Sequence, residues 1–247
     1  YRGAAAALLD VKNGTAGQHA NTEQSAPYQA AYAKALAQAQ AQSNAGATAF
    51  GSKTNLNSAL GQFGNNQALS DTFAKGYNDA SDGYNDAQKD ANMSSTHSTN
   101  GDKDEVYRGA ADAFNAVSRG DNPTPDASQT NAAYLAAFSR AKDQALQIAK
   151  DAAVGFNKGT AQQDLLSAQG DNKALQNAVS RGYTDAQLAY SQAEAQPDTT
   201  THQTDSNTDK TFHGASLAFN DVKNGTDGNS RPADGDVVAQ SAYDKAL

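Results

Sequence analysis

The side chains that could do chemistry in this chain are four histidines, several acidic clusters, and tyrosines that lie beside arginines. A metal site or a catalytic base needs histidines and acids that converge. The histidines instead lie in separate polar segments without metal-ligand spacing, at His19, His97, His202 and His213. The chain has no cysteine, which excludes a thiolate nucleophile and a disulfide. The sequence therefore predicts no catalytic residue, no metal ion and no cofactor, and we expect the protein not to be an enzyme.

Acidic residues cluster at 102–105 and 227–236, where oxygen ligands for calcium could gather. Their spacing does not match a calcium-binding loop and the clusters do not recur in register, so a solvated charged linker is favoured. The net charge of −8, without any basic run, argues against electrostatic binding to nucleic acid or to an anionic membrane. No apolar stretch approaches the length of a membrane-spanning helix, so we expect no membrane insertion.

Two tyrosine–arginine pairs are the candidate ligand-binding residues, Tyr1 with Arg2 and Tyr107 with Arg108. A recurring ring and guanidinium could bind a carbohydrate or a peptide. The competing interpretation, which we favour, is that tyrosine rings pack inside alanine-rich bundles and leave their hydroxyls at the edge. If a ligand site exists, we predict that it is built on these pairs. Each pair opens a helix, where the ring can staple the entering chain while the guanidinium stays in water.

These pairs belong to a sequence repeat. The segment Tyr-Arg-Gly-Ala-Ala at 1–5 returns at 107–111 and, in weaker form, as Phe-His-Gly-Ala at 212–215. The first two copies align without a gap, and Asp-Val-Lys-Asn-Gly-Thr at 10–15 recurs at 221–226. A period of about 106 residues indicates one folding unit copied in tandem, an arrangement more typical of stalks, adhesins and multivalent binders than of enzymes. The third copy stops inside a helical pattern, so we expect the sequence to be a fragment of a longer protein.

Apolar residues spaced by three and four predict three helices in each copy and an all-α fold. A short first helix ends at Gly14, a second helix of about 25 residues starts near Pro27, and a third follows the capping residue Asn66. Glycine costs helix stability, so its return at Gly76 and Gly182 in the third helix predicts a close approach of another helix. No alternation of β-branched residues predicts a strand.

The predicted organisation is an elongated array of three-helix bundles joined by polar linkers. Its parts are helical repeat 1 (1–91), a linker (92–106), helical repeat 2 (107–196), a linker (197–211) and a truncated third repeat (212–247). The linkers are rich in Ser, Thr, Asn and Asp, so we expect them to be solvated and the bundles to bury little surface against each other. An alternative, in which the third helix of one copy runs close to the first helix of the next, stays open.

Alanine-rich helical units of about a hundred residues, in tandem and without cysteine, resemble the repeat regions of cell-wall-anchored surface proteins and adhesins of lactobacilli and related Gram-positive bacteria. The resemblance is one of style and covers the whole chain. It implies a secreted protein at the cell surface or cell wall, with a role in cell adhesion or in projecting an adhesive tip.

Two functions follow from this resemblance. One is a passive stalk or spacer, and the other is a multivalent binding module for a host or bacterial surface protein or glycan. The residues retained between copies are mostly core-like, with Arg2 and Arg108 as the main exceptions, which favours the spacer. A glycan-processing enzyme would need a recurring acidic pair, whereas Asp79 and Asp185 recur singly.

Overall fold

The computed structural model describes residues 1–93, 96–198, 200–202, 204, 206–226 and 228–247. In this part of the chain the secondary structure consists of ten α-helices and one 3₁₀ turn, with no strand, which confirms the all-α prediction. None of the helices described is long and apolar enough to span a membrane. Outside the described residues lie 94 and 95 of the predicted first linker, 199, 203 and 205 of the second, and Asp227 of the acidic cluster.

In chain order the helices are α1 (Arg2–Asn13), α2 (Ala26–Gly51), α3 (Leu56–Leu60, followed by the 3₁₀ turn Gly61–Phe63), α4 (Gln67–Lys89), α5 (Asp102–Arg119), α6 (Ala132–Asn157), α7 (Gln162–Ser167), α8 (Lys173–Ala195), α9 (Asn207–Asn224) and α10 (Val237–Ala246). Helices of equal length recur in the same order. The helices α2 and α6 have 26 residues each, α4 and α8 have 23 each, and α5 and α9 have 18 each. The short helices α3 and α7 are additional to the three helices that the sequence predicts in each copy.

Local signals set several helix ends. Gly14 ends α1 with a φ of 72°, a left-handed conformation that glycine adopts without strain, and Gly225 ends α9 in the same way. Pro27 lies in the first turn of α2, and the Asn66 side chain accepts a hydrogen bond from the backbone N–H of Leu69 at the start of α4. These predicted ends are therefore confirmed.

Glycines mark the points where helices touch through their backbones. A Cβ on Gly76 of α4 would clash with the carbonyl oxygen of Ser43 in α2, and a Cβ on Gly182 of α8 would clash with that of Ala149 in α6. The predicted close approach at both glycines is confirmed. The same kind of contact joins the first and second helix of each copy, at Gly3, Gly109 and Gly214.

The chain divides into two compact units, Tyr1–Ala113 with Pro123–Lys142, and Phe114–Asn122 with Asp143–Leu247. The helices α5 and α6 begin in the first unit and end in the second. These boundaries differ from those of the repeats predicted from the sequence, because they cut through helices rather than through the polar segments.

Within each unit, the third long helix of one copy packs on the first helix of the next. In the first unit α4 lies so close to α5 that a Cβ on Gly83 would clash with the carbonyl of Lys103. In the second unit Ala189 and Ala193 of α8 form a buried cluster with Phe212 of α9. This is the arrangement that the sequence left open, and the expectation of little contact between consecutive copies is wrong at these two places.

The predicted linkers also differ from the structure. The helix α5 begins at Asp102 and α9 at Asn207, both earlier than the predicted repeat starts at 107 and 212. His97, Glu105 and Val106 are buried, so the expectation that residues 92–106 are solvated is wrong for them. The physical reason is that this segment bonds Asp104 and Arg108 of α5. In addition, His97 lies 3.8 Å and Lys103 2.8 Å from the carboxylate of Asp86 on α4.

Candidate functional site

The structure places the two tyrosine–arginine pairs in different environments. Tyr1 is fully exposed, and Arg2 reaches only a 3.5 Å ion pair with Glu23 while its own side chain stays exposed. Tyr107 has no exposed surface; its hydroxyl donates to the carbonyl of Asp90 at 2.7 Å. A ligand could therefore reach the ring of the first pair but not that of the second.

Arg108 is half-buried and bonds three neighbouring residues. Its Nη1 donates to the carbonyls of His97 at 3.0 Å and Thr99 at 2.8 Å, and its Nη2 lies 2.6 Å from a carboxylate oxygen of Glu105. The sequence predicts that this guanidinium stays in water, whereas in the structure the Arg108 side chain is 27% exposed and is partly covered by the segment before α5. Bonds of this kind fix the start of a helix and leave few donors for a partner.

We call the side chains of His97, Thr99 and Asp104, which lie together at the start of α5, the histidine cap. His97 is buried and stacks on the ring of Tyr107 with 3.8 Å between ring centroids. Its Nδ1 lies 2.9 Å from Asp104, which also accepts hydrogen bonds from the backbone N–H and the hydroxyl of Thr99. Burial raises the pKa of Asp104, but the hydrogen bonds from Thr99 and His97 outweigh it and lower that pKa below its usual value.

The histidine cap recurs before α9. His202 stacks on Phe212 with 4.0 Å between centroids, its Nδ1 lies 2.6 Å from Asp209, and the hydroxyl of Thr204 bonds the same carboxylate. This set was not predicted, because each histidine taken alone lacks metal-ligand spacing. The signal that could have found it is Thr-His-x-Thr at 96–99 and 201–204, followed in each case by an aspartate at the same distance.

A buried carboxylate closes the loop between α1 and α2. Asp10 has no exposed surface, and it accepts hydrogen bonds from the Tyr32 hydroxyl at 2.5 Å and from the backbone N–H of His19 at 2.9 Å. Nδ1 of His19 lies 2.5 Å from the same carboxylate. Burial raises the pKa of Asp10, but the hydrogen bonds from Tyr32 and His19 dominate and lower it to about 2. The carboxylate thus stays ionised and anchors the loop.

The same anchor recurs between α9 and α10. Asp221 accepts from the hydroxyl of Tyr243 at 2.5 Å and from the backbone N–H and hydroxyl of Ser230 at 2.8 and 2.7 Å. The hydrogen bond from Tyr243 is the largest cause that lowers the pKa of Asp221 to about 2. In both copies the tyrosine oxygen also accepts a glycine N–H from the loop, at 3.0 Å.

The middle copy builds its anchor differently. Ala116 and Phe138 occupy the positions equivalent to the buried aspartate and tyrosine, so neither polar group is present. One helical turn earlier on both helices, the hydroxyl of Tyr134 donates to Asp112 at 2.6 Å. Burial, followed by this hydrogen bond, raises the pKa of Tyr134 well above its usual value.

A third recurring set, which we call the cation clamp, joins consecutive copies. In the first unit the guanidinium of Arg140 on α6 lies 4.1 Å from the ring centroid of Phe50 and 5.0 Å from that of Tyr84. Its Nη1 also donates to the carbonyl of Phe50 at 2.6 Å. The cation belongs to the second copy and the two rings belong to the first, so the clamp ties the second helix of one copy to the copy before it.

The cation clamp occurs again in the second unit. Nζ of Lys245 on α10 lies 4.7 Å from the ring centroid of Phe156 and 5.4 Å from that of Tyr190, and it donates to the carbonyl of Phe156 at 3.4 Å. The Phe and Tyr rings meet edge to face in both clamps. The equivalent cation of the first copy is Lys34, which lies over no ring among the described residues, whereas Lys245 makes its clamp although it is exposed too.

Among the described residues, no group of three or more histidine or acidic side chains has an arrangement that could hold a metal ion. In the first acidic cluster each carboxylate has a protein partner. Asp102 accepts from Ser43, Asp104 belongs to the histidine cap, and Glu105 pairs with Arg108.

A scan against protein-family models and searches of curated proteins and of solved structures found no match to this chain.

Proposed function

We propose that this chain is a tandem array of three-helix repeats of about 106 residues that acts as a stalk or spacer in an extracellular bacterial surface protein. The observation that carries the proposal is the cation clamp. Arg140 and Lys245 occupy equivalent positions, and both bind rings and a backbone carbonyl of the preceding copy. Polar chemistry that recurs in register is thus used to join copies.

The other recurring polar sets support the same role, because their side chains bond residues of the fold itself and are not free for a partner. The histidine caps hold the starts of α5 and α9, and the buried aspartates Asp10 and Asp221 anchor loops. Tyr107 and Arg108, half of the candidate ligand site, are bound within the fold. A spacer needs only such internal contacts, whereas a binding module needs the same exposed residues in each copy.

The alternative is a multivalent binding module for a host or cell-surface glycan or protein. One observation favours it: Tyr1 and Arg2 are both exposed at the start of α1. An accessible ring beside a guanidinium can stack on a sugar or pair with an acidic group.

A binding screen tests the two functions against each other. The chain and the variants Arg2→Ala and Tyr1→Ala are applied to glycan arrays and to immobilised matrix proteins, with Arg119→Ala as a matched exposed-arginine control. A spacer gives no saturable binding in any of the four proteins. Saturable binding that Arg2→Ala abolishes and Arg119→Ala retains would establish the binding module and overturn the spacer.

A length series tests the stalk role directly. Chains with one, two and three added copies carry a fluorophore pair at their ends, and the end-to-end distance is followed together with small-angle scattering. A stalk lengthens by a constant increment with each copy. A distance that stops growing after the first addition would contradict the proposal.

The proposed location is tested on intact cells of the organism that encodes the chain. Antibodies against the purified protein label the outside of unpermeabilised cells if the chain is displayed at the surface or cell wall. Labelling that appears only after permeabilisation would exclude an extracellular stalk.

A further inference from the structure

We propose that α1 and α2 carry a docking face for the third long helix of another copy of this repeat. This docking face consists of Tyr1, Ala4, Leu8, Ala31 and Lys34. The inference deepens the proposed function, because it names a partner, and it rests on the repeat architecture but not on the stalk role.

The equivalent face of the third copy shows what such a surface binds. Phe212, Ala215 and Ala242 are equivalent to Tyr1, Ala4 and Ala31, and they form one buried cluster with alanines of α8. Phe219, equivalent to Leu8, packs at the edge of that cluster, and Lys245, equivalent to Lys34, makes the clamp. In the third copy the apolar part of the face therefore packs against the preceding copy, while Lys245 binds the rings of that copy from the surface.

Exposure of the docking face differs between copies at the same positions. In the second copy the residues equivalent to Tyr1, Ala4, Leu8 and Ala31 are at most 1% exposed, namely Tyr107, Ala110, Phe114 and Ala137. In the first copy Tyr1 and Lys34 are exposed, and Ala4, Leu8 and Ala31 are half-buried. At these equivalent positions of the described residues, the apolar strip with a cation beside it is therefore partly uncovered on α1 and α2.

The chemistry of this strip fits the third long helix of a copy, which is α4 in the first copy and α8 in the second. The small residues Gly83 and Ala189 occupy equivalent positions where α4 and α8 come closest to the next copy. They let a helix approach the alanines of the face, while Tyr84 or Tyr190 and the neighbouring phenylalanine receive the cation. In this chain α4 and α8 are already covered by α5 and α9, so the helix must come from a further copy.

The test places a second copy of residues 107–211 in front of Tyr1, so that a helix of the α8 type precedes the docking face. The sequences of α1 and α2 remain unique in the extended chain, which lets hydrogen exchange with mass spectrometry follow them separately. We expect amide exchange in α1 and α2 to slow by about tenfold or more relative to the parent chain. Unchanged exchange in both helices would overturn the proposal.

Variants at Lys34 separate docking from a general stabilising effect. In the extended chain Lys34→Ala should remove most of the slowing, and Lys34→Arg, which copies Arg140, should retain it. In the parent chain both variants should exchange like the wild type, because Lys34 makes no cation clamp among the described residues. Equal effects of Lys34→Ala in the parent and extended chains would refute a clamp at this position.

Light scattering of the parent chain measures its oligomeric state and tests whether another surface occupies the docking face. With α4 and α8 already covered, the parent chain is expected to be monomeric, whereas a dimer protected at α1 and α2 would show that a different surface occupies the face. A positive glycan screen would contradict the stalk role without changing the expected exchange and light-scattering results. Failure of the stalk role and failure of the docking face are therefore distinguishable.

Discussion

Asp10 and Tyr32 share a 2.5 Å hydrogen bond at positions that are almost completely buried, and the middle copy replaces both residues together, by Ala116 and Phe138. Losing only the phenol would leave a buried carboxylate short of a donor, and losing only the carboxylate would leave a buried hydroxyl short of an acceptor. The chain therefore shows that the pair is kept or exchanged as one element.

The first prediction concerns this pair. Tyr32→Phe removes the donor and should lower the free energy of unfolding by about 1–3 kcal/mol, because Asp10 stays buried and ionised. Adding Asp10→Ala, which reproduces the middle copy, should recover part of that loss. Urea denaturation measures both, and Tyr77→Phe, whose hydroxyl bonds Thr54 at the surface, is the control with a change within about 0.5 kcal/mol. Additive effects of the two substitutions would contradict the coupling.

The second prediction is a loss of stability in acid. The pKa of Asp10 is lowered to about 2, below the value of about 3.9 for an unfolded chain. Its contribution is therefore complete above pH 4 and is lost as the pH falls from about 4 towards 2, where the folded carboxylate takes up a proton. Urea midpoints at constant ionic strength should fall over that range, and more steeply in the parent than in the double variant Asp10→Ala with Tyr32→Phe. Equal slopes would refute the lowered pKa.

The third prediction concerns the crossing of α2 and α4. Gly76→Ala places a methyl group against the carbonyl of Ser43, so the helices must move apart at a cost of about 1–3 kcal/mol or more. Gly61→Ala is the matched control, because a Cβ there meets no atom within 4 Å. Thermal denaturation followed by circular dichroism should show a lower midpoint for Gly76→Ala only.

The fourth prediction concerns the cation clamp. Arg140→Ala removes a cation from two rings and a hydrogen bond from the carbonyl of Phe50, and should destabilise the first unit by about 1–2 kcal/mol. Arg140→Lys copies the clamp of the third copy and should recover part of the loss. The equivalent but exposed Lys34→Ala should change the unfolding free energy by less than about 0.5 kcal/mol. Similar losses at positions 34 and 140 would show that the clamp does not stabilise the fold.

The fifth prediction concerns the histidine cap. His97→Ala uncovers the ring of Tyr107 and removes a partner of Asp104, so the segment before α5 should open more often. Limited proteolysis should then cut near residues 96–101 faster than in the parent chain. Ser98→Ala, an exposed neighbour, is the control and should be cut at the parent rate.

Much of the fold could be predicted from the sequence, because helices and their ends depend on local signals. The left-handed glycine at Gly14, the proline near the start of α2 and the apolar spacing of three and four act within a few residues of themselves. The glycines at 76 and 182 likewise indicated a close approach, since an unfavourable residue that recurs in a helix needs a packing reason.

The packing partners of each helix, and the exposure of the candidate ligand-binding tyrosines, follow from tertiary contacts and not from local sequence signals. Tyr1 and Tyr107 are each followed by Arg-Gly-Ala-Ala, yet the Tyr1 ring is fully exposed and the Tyr107 ring, which a preceding segment covers, has no exposed surface. The difference comes from His97 and from α4, which lie outside the local pattern. The positions of the helices and their repetition can be predicted from the sequence, because helix propensity and capping act locally. The sequence did not determine the burial of a ring, because burial depends on contacts between segments far apart in the chain.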